Sequence, residues 1–187
     1  MNMTDEDLVL AYRGGEESAF SDIVGRYIGR IYSFTYRLSG DQSMAEDATQ
    51  ETFVKVWKGI RGFDETKRFK SWIFAIARNS LLDIARKRRD KPLSRLESEG
   101  EDIAASIVDM APLQDEVFDG LIDSMILEKT LGVLSPGIRS VVILHDLEGL
   151  TFEEISSIMK KPMNTIKSSY RRALMKLRET MHQKELE

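Results

Sequence analysis

Apolar residues along this chain recur at spacings of three and four, the period of one helix face, and no segment alternates with the two-residue period of a strand. The chain therefore reads as all-α. Thr4 is placed to cap a first short helix, with Asp5, Glu6 and Asp7 in its first turn and Leu8, Val9, Ala11 and Tyr12 behind them. Gly14 and Gly15 end it. A longer helix follows from about Glu17 to Leu38, apolar at Phe20, Ile23, Val24, Tyr27, Ile31, Phe34, Tyr36 and Leu38, and Ser39-Gly40-Asp41 breaks it. Ser43 to Glu46 has the pattern of a capping box and starts a third helix, to about Lys58. Its expected inward face is Ala45, Ala48, Thr49, Thr52, Phe53, Val56 and Trp57. Its opposite face carries Asp47, Gln50, Glu51, Val54 and Lys58. After a loop from Gly59 to Lys70, Ser71 is the expected cap of a fourth helix reaching about Arg89, and Pro92 opposes its continuation.

Residues 92–118 change character. Glu97, Glu99, Glu101, Asp102, Asp109, Asp115 and Glu116 face only Arg95, and Pro92, Gly100 and Pro112 interrupt any helical period. This composition predicts a flexible acidic linker. The helical pattern then resumes from Leu121 to Leu134. Ser135-Pro136 supplies an N-cap and a proline at the first helical position. That helix is expected to bury Ile138, Val141, Val142, Leu144 and Leu147 and to end at Gly149. Thr151 to Glu154 is a second capping box, with Ile155, Ile158 and Met159 behind it. Lys160 to Asn164 is a short turn, and a last helix runs from about Asn164 to His182 with Ile166, Tyr170, Leu174 and Leu177 inward. The pattern predicts two small helical domains, 1–91 and 119–187, joined by the linker 92–118. The second domain contains helix-turn-helix spacing: a capped short helix, a tight turn and a longer helix.

Composition narrows the function classes. The 187 residues are 42% hydrophobic, as in a globular protein, and each half is short enough to be only modestly stable. Cysteine is absent, which excludes disulfides and thiolate metal sites and fits a reducing compartment. His145 and His182 lie far apart and show no metal-ligand spacing, so no metal or cofactor is expected. The N-terminal MNMTDEDLVL has no basic region and is not a signal peptide. No apolar run approaches the roughly 18 residues that a membrane span needs. A soluble cytoplasmic protein is expected.

Charge then changes the picture. The chain holds 27 Lys and Arg against 31 Asp and Glu, yet the acid gathers in the linker and the base in the segments flanking it. The stretch Phe63 to Lys91 mixes aromatics with cations and ends in Arg86-Lys87-Arg88-Arg89. A phosphate backbone is the commonest partner of such a patch. A solvated helix end, with cations complementing the macrodipole, accounts for the same run equally well. Phe69, Trp72, Ile73 and Ile76 fit an inward face, so Phe69 and Trp72 are expected in the core. Lys67, Arg68, Lys70, Ser71, Asn79 and Arg86 are then the candidates for holding unstacked single strands. On the last helix Lys167, Ser168, Arg171 and Arg172 point outward. Lys160, Lys161, Lys176 and Arg178 flank them, and no acid lies from Lys160 to Arg178. Such a face fits the major groove, and this asymmetry favours DNA binding over a solvated amphipathic hairpin.

Three blocks together resemble the bacterial RNA polymerase sigma factors of the extracytoplasmic-function (ECF) group. They are GDQSMAEDATQETFVKVW (Gly40 to Trp57), FKSWIFAIARNSLLDIARKRR (Phe69 to Arg89) and the segment from Leu134 to Arg178. The resemblance covers nearly the whole chain. It implies a first domain that binds core polymerase and melts the −10 element, and a second that reads the −35 element. Asp47, Gln50, Glu51 and Val54 match positions that contact core polymerase, mainly its β′ clamp helices. Asn79 matches a residue near the pocket for a flipped base of the −10 element, and the loop Gly62 to Lys70 matches the loop that forms it. Thr165, Lys167, Ser168, Arg171 and Arg172 match the −35-reading positions on duplex DNA. The family's frequent Val-Gly-Thr-Val turn is Met163-Asn164-Thr165-Ile166 here, and its common arginine after the serine is Ser169, which implies an unusual −35 sequence. The resemblance also implies an anti-sigma partner.

Two readings from other classes compete. A dimeric helix-turn-helix regulator with an N-terminal sensor domain would bind a palindromic operator without polymerase. A helical enzyme would need paired carboxylates such as Glu46 and Asp47. No histidine near that pair supports that reading, and adjacent acids at a helix start are dipole partners first.

Overall fold

The computed structural model describes residues 3–89, 128 and 130–184, and the expected linker lies outside them. The chain divides into two compact units, Met1–Arg95 and Leu96–Glu187. Among the described residues every regular element is helical.

The first unit contains α1 (Asp5–Arg13), α2 (Ser18–Ser39), α3 (Gln42–Gly59), a 3-10 turn (Ile60–Gly62) and α4 (Phe69–Arg89). Thr4 caps α1 as expected: its hydroxyl accepts from the Asp7 amide at 3.1 Å, and the Asp7 carboxylate accepts from the Thr4 amide at 2.9 Å. Gly40 closes α2 with φ of 66°, a left-handed conformation in which a side chain would be strained.

Two expected caps are replaced. Asp41, not Ser43, caps α3: its Oδ1 accepts from the Met44 amide at 2.7 Å, so the helix starts at Gln42 and Ser43 lies inside it. An aspartate two residues upstream satisfies the third helical amide as well as a serine can. The fourth helix starts at Phe69, two residues before Ser71. There the Phe69 amide donates to Glu6 Oε1 at 3.0 Å, a cap supplied through space by α1.

Aromatic side chains build the core of this unit. Tyr27, Phe34, Phe69 and Phe74 are fully buried with Ile23, Ile31, Ile60 and Ile73. The rings of Phe34 and Phe74 meet edge to face at 5.2 Å, and those of Tyr27 and Phe69 at 5.7 Å. α3 lies against α2 through Ala45 and Thr49, whose carbonyl and hydroxyl oxygens lie 3.4 Å from Thr35 Oγ1, and Ala48 and Thr52 are buried on the same helix. Thr49 and Thr52 donate to the carbonyls of Ala45 (2.7 Å) and Ala48 (2.6 Å), so their burial leaves no hydroxyl unsatisfied. Trp57 departs from its expected place and is 56% exposed. The stripe Ala45, Thr49, Thr52, Val56 already fills the inward face, and Trp57 stands one residue, about 100°, beyond it.

The second unit contains a helical turn at residues 130–132, then α5 (Pro136–Val142), a wider π turn (Ile143–Leu147), α6 (Phe152–Met159) and α7 (Met163–Lys184). Ser135 occupies the cap position of α5 with Pro136 after it, but its side chain makes no capping bond. Leu131, Leu134, Val141, Val142, Ile143, Leu144, Ile155, Ile158, Ile166 and Ala173 form the core. Leu147 and Leu174, both expected inside, are 42% and 46% exposed. The π turn rotates Leu147 outward, and Leu150, beyond the left-handed Gly149, takes the buried place. On α7 the inward stripe is Ile166, Tyr170, Ala173 and Leu177, and Leu174 falls one position off it.

Phe34→Ala is expected to destabilise the first unit by about 3–5 kcal/mol, whereas Trp57→Ala stays within about 0.5 kcal/mol. Urea unfolding followed by far-ultraviolet circular dichroism measures both; a large loss for Trp57→Ala would contradict its surface placement.

Candidate nucleic-acid interface

Two buried phenylalanines pin the loop that precedes α4. Phe63 and Phe69 are buried with ring centroids 5.6 Å apart, while residues 64–68 between them are exposed. Trp72 joins the cluster at 5.1 Å from Phe63 and 5.6 Å from Phe69. It is half-buried, not enclosed as expected, and one edge lies on Gly59, where an added Cβ would stand 3.3 Å from the indole.

The exposed arch has its own internal bonds. Asp64 Oδ1 accepts from the Thr66 hydroxyl at 2.7 Å and the Thr66 amide at 3.1 Å, and Asp64 Oδ2 pairs with Lys67 Nζ at 3.5 Å. The Thr66 hydroxyl bond, then its amide bond, hold the Asp64 carboxyl below the usual aspartate range. Lys67 and Arg68 stand on the arch, exposed; Lys70 and Ser71 are half-buried in the first turn of α4. Two residues of α1 also reach this loop. Glu6 accepts from the Phe69 amide at its far end. Arg13 donates from Nε to the Ile60 carbonyl at 3.3 Å, from Nη2 to the Phe63 carbonyl and from Nη1 to Glu65, all at its near end.

Along α4, Phe69, Ile73, Phe74, Ala77, Ser80 and Leu81 are buried, and Asn79 and Arg86 are exposed. Trp72, Asn79 and Arg86 follow one another at seven-residue intervals. They share one stripe that climbs roughly 10 Å per interval. Asp47, Gln50, Glu51 and Val54 line a groove between α3 and α4, which Arg86 and Lys87 also line. The residues expected to meet polymerase thus lie together, and Arg86 of the expected −10 set borders them. Lys55 bridges the groove, 3.2 Å from Ser80 Oγ and 3.5 Å from both Glu51 and Asp83. Arg88, part of the basic tail, turns back onto α3. It donates to Ser43 Oγ at 2.9 Å and pairs with Asp47 at 3.2 Å and Asp41 at 3.4 Å.

The second unit presents a different surface. The Thr151 amide donates to Glu154 Oε2 at 2.8 Å and the Glu154 amide to Thr151 Oγ1 at 3.3 Å, completing the expected capping box. Lys160 ends α6 in a left-handed conformation with φ of 53°, and Ser156 Oγ donates to the Lys161 carbonyl at 2.7 Å. Ile166 and Ala173 then seat α7, leaving Thr165, Lys167, Ser168, Arg171 and Arg172 exposed. Ser169 is half-buried and accepts from Arg172 Nη2 at 3.3 Å. His145, assigned no role from sequence, orients this helix: its ring stacks on Phe152 at 4.3 Å and meets Tyr170 edge-on at 4.9 Å. The Tyr170 hydroxyl donates to Asp146 Oδ1 at 2.8 Å; burial first, and this bond second, raise it above the usual phenol range. Only the aromatic spacing of His145, Phe152 and Tyr170 hints at this in the sequence.

The family model for sigma-70 region 2 matches residues 23–91, and that for sigma-70 region 4 matches residues 124–177. The chain belongs to the ECF group of RNA polymerase sigma factors. It is 29% identical over 184 residues to the ECF RNA polymerase sigma factor SigW of Bacillus subtilis, covering 97% of this chain and 98% of that one. It is 30% identical over 168 residues to the ECF RNA polymerase sigma factor SigE of Mycolicibacterium smegmatis, covering 88% of this chain and 63% of that longer relative. Among solved structures it is similar to the sigma factor RpoE of Bartonella quintana, determined with the anti-sigma factor NepR. That likeness has 28% identity and a TM-score of 0.64, and covers 87% of this chain and 96% of that one. The region 2 match takes in the α3–α4 groove and the pinned loop, and the region 4 match takes in the helix-turn-helix. The α1 helix precedes the region 2 match. In this sigma factor no helix among the described residues is long and apolar enough to cross a membrane.

Asp64 is expected to titrate below the usual aspartate range in the folded chain. Its contribution to loop order is therefore present above the unfolded-state pKa and is lost as pH falls through the folded one. Carbon-13 NMR titration of its carboxyl tests this; an unshifted or raised value would contradict the bonds to Thr66.

Proposed function

We propose that this sigma factor binds core RNA polymerase, mainly the β′ clamp helices, through Asp47, Gln50, Glu51 and Val54, and directs it to promoters through two separate DNA contacts. In the first unit Lys67, Arg68, Lys70, Ser71, Asn79 and Arg86 hold the single-stranded −10 element. In the second Thr165, Lys167, Ser168, Arg171 and Arg172 read the −35 duplex. On this reading residues 1–91 are the region 2 domain, 92–118 a linker and 119–187 the region 4 domain.

The observation that carries the reading is the stripe of Asn79 and Arg86 running on from an arch pinned at both ends by buried aromatics. An exposed amide on the stripe leading from a basic arch can hydrogen-bond an unstacked base while cations along the same stripe and arch hold phosphates. Unstacking a base costs a few kcal/mol, and its capture offsets part of that cost. Neither DNA contact is large, so both depend on being carried by one polymerase, which raises the effective concentration of the second. The chain works as a cytoplasmic initiation factor and performs no covalent chemistry of its own. Control by an anti-sigma protein is supported by the likeness to a sigma factor solved with one.

Run-off transcription with purified core polymerase tests the assignment. The chain is expected to give specific initiation from promoters that core alone ignores. Asn79→Ala is expected to lower open-complex formation while leaving polymerase affinity unchanged; normal melting with weakened polymerase binding would refute its role. Arg172→Ala is expected to lose discrimination at −35, by about 1–3 kcal/mol if it reads a base edge. Unchanged footprints on mutated −35 sites would contradict this.

A further inference from the structure

The first helix packs its apolar face through Leu8, Val9 and Tyr12, all buried, and that packing needs neither Glu6 nor Arg13. Both polar side chains nevertheless spend their hydrogen bonds on one target, the loop before α4. Glu6 takes the Phe69 amide at the loop's exit. Arg13 takes the Ile60 and Phe63 carbonyls and the Glu65 carboxylate at its entry. Tyr12 adds a third contact, with the Arg61 guanidinium over its ring at 5.8 Å. These partners are 47 to 63 residues away in sequence. The helix itself, Asp5–Arg13, precedes the residues matched to region 2.

We propose that Glu6 and Arg13 are positioning residues for capture of the −10 base, holding the two ends of the loop so that its exposed arch keeps one shape. This rests on the proposed role of that loop in −10 binding. An exposed arch left to itself loses conformational entropy when it closes on a ligand, and bonds from a packed helix to its backbone remove that cost in advance. A base pocket also discriminates only if its walls are held to within a fraction of an ångström. Two anchors at opposite ends do this without touching DNA.

Charge separates this role from a direct one. Glu6 is an acid, so its removal raises nonspecific attraction for DNA, whereas loss of its bond to Phe69 loosens the pocket. Arg13→Lys keeps the cation but loses the forked bonds to two carbonyls. The probes are a non-template single strand from a promoter that the wild-type holoenzyme opens, and the same strand with an abasic site at each −10 position in turn. Full-length variants are measured as holoenzyme with core polymerase. Glu6→Ala and Arg13→Lys are each expected to lower the ratio of intact-strand to abasic-strand affinity at the captured position about fivefold, the worth of one hydrogen bond. The salt dependence of binding under Arg13→Lys, and polymerase affinity under both, stay at wild-type values. Glu6→Gln, whose amide oxygen still accepts from Phe69, restores the ratio. Variants that discriminate as well as wild type, or that lose polymerase affinity in parallel, overturn the inference while leaving the promoter reading intact. A wild-type holoenzyme that does not discriminate at any −10 position overturns both.

Discussion

The seating of α4 constrains everything that the first unit can offer a partner. Phe69, Ile73, Phe74 and Ala77 go wholly into the core, and the helical period then dictates that Asn79 and Arg86 face outward. Magnitudes show which effect sets this geometry. Truncating a buried phenylalanine costs about 3–5 kcal/mol, whereas each exposed ion pair of the groove contributes roughly 0–1 kcal/mol. The pairs made by Lys55 and Arg88 adjust side chains on a frame that the aromatic core has already fixed.

Those pairs still matter to how the surfaces read. Several cations that a sequence would give to phosphates are held by acids of the same unit: Lys67 by Asp64, Arg88 by Asp41 and Asp47. Any partner bound at these positions would have to exchange for the existing ion pair, and would gain less than a bare charge count suggests. The second unit differs. From Lys160 to Arg178 it carries no acid, and its basic face is exposed along one side of α7. The two units thus present surfaces of different electrostatic character within one net-acidic chain.

Much of the fold was legible because it is local. Helix periodicity placed the boundaries of α1, α2 and α7 within about two residues, and the Thr4 and Thr151 caps lie where short motifs put them. The misses have two physical causes. Trp57, Leu147 and Leu174 sit at the margins of apolar stripes, where a single step of about 100° or one π turn decides between core and solvent. Glu6, Arg13 and Arg88 act through contacts spanning 41 to 63 residues, which no local pattern encodes. The expected Ser71 cap of α4 fails for the same reason: the group that does cap Phe69 belongs to another helix. The basic and aromatic stretch from Phe63 onward was visible at once, with Phe69 expected in the core and Lys67 and Arg68 outside it; the structure adds that Phe63 is buried too and that Trp72 is only half-buried.

Footprinting of one promoter duplex with the chain alone, with core polymerase alone and with both tests the central claim most directly. The expected result is joint protection of the −35 and −10 elements, with opened bases at −10, only when both are present. Protection of a palindromic site by the chain alone, as a dimer and without opened bases, would contradict it.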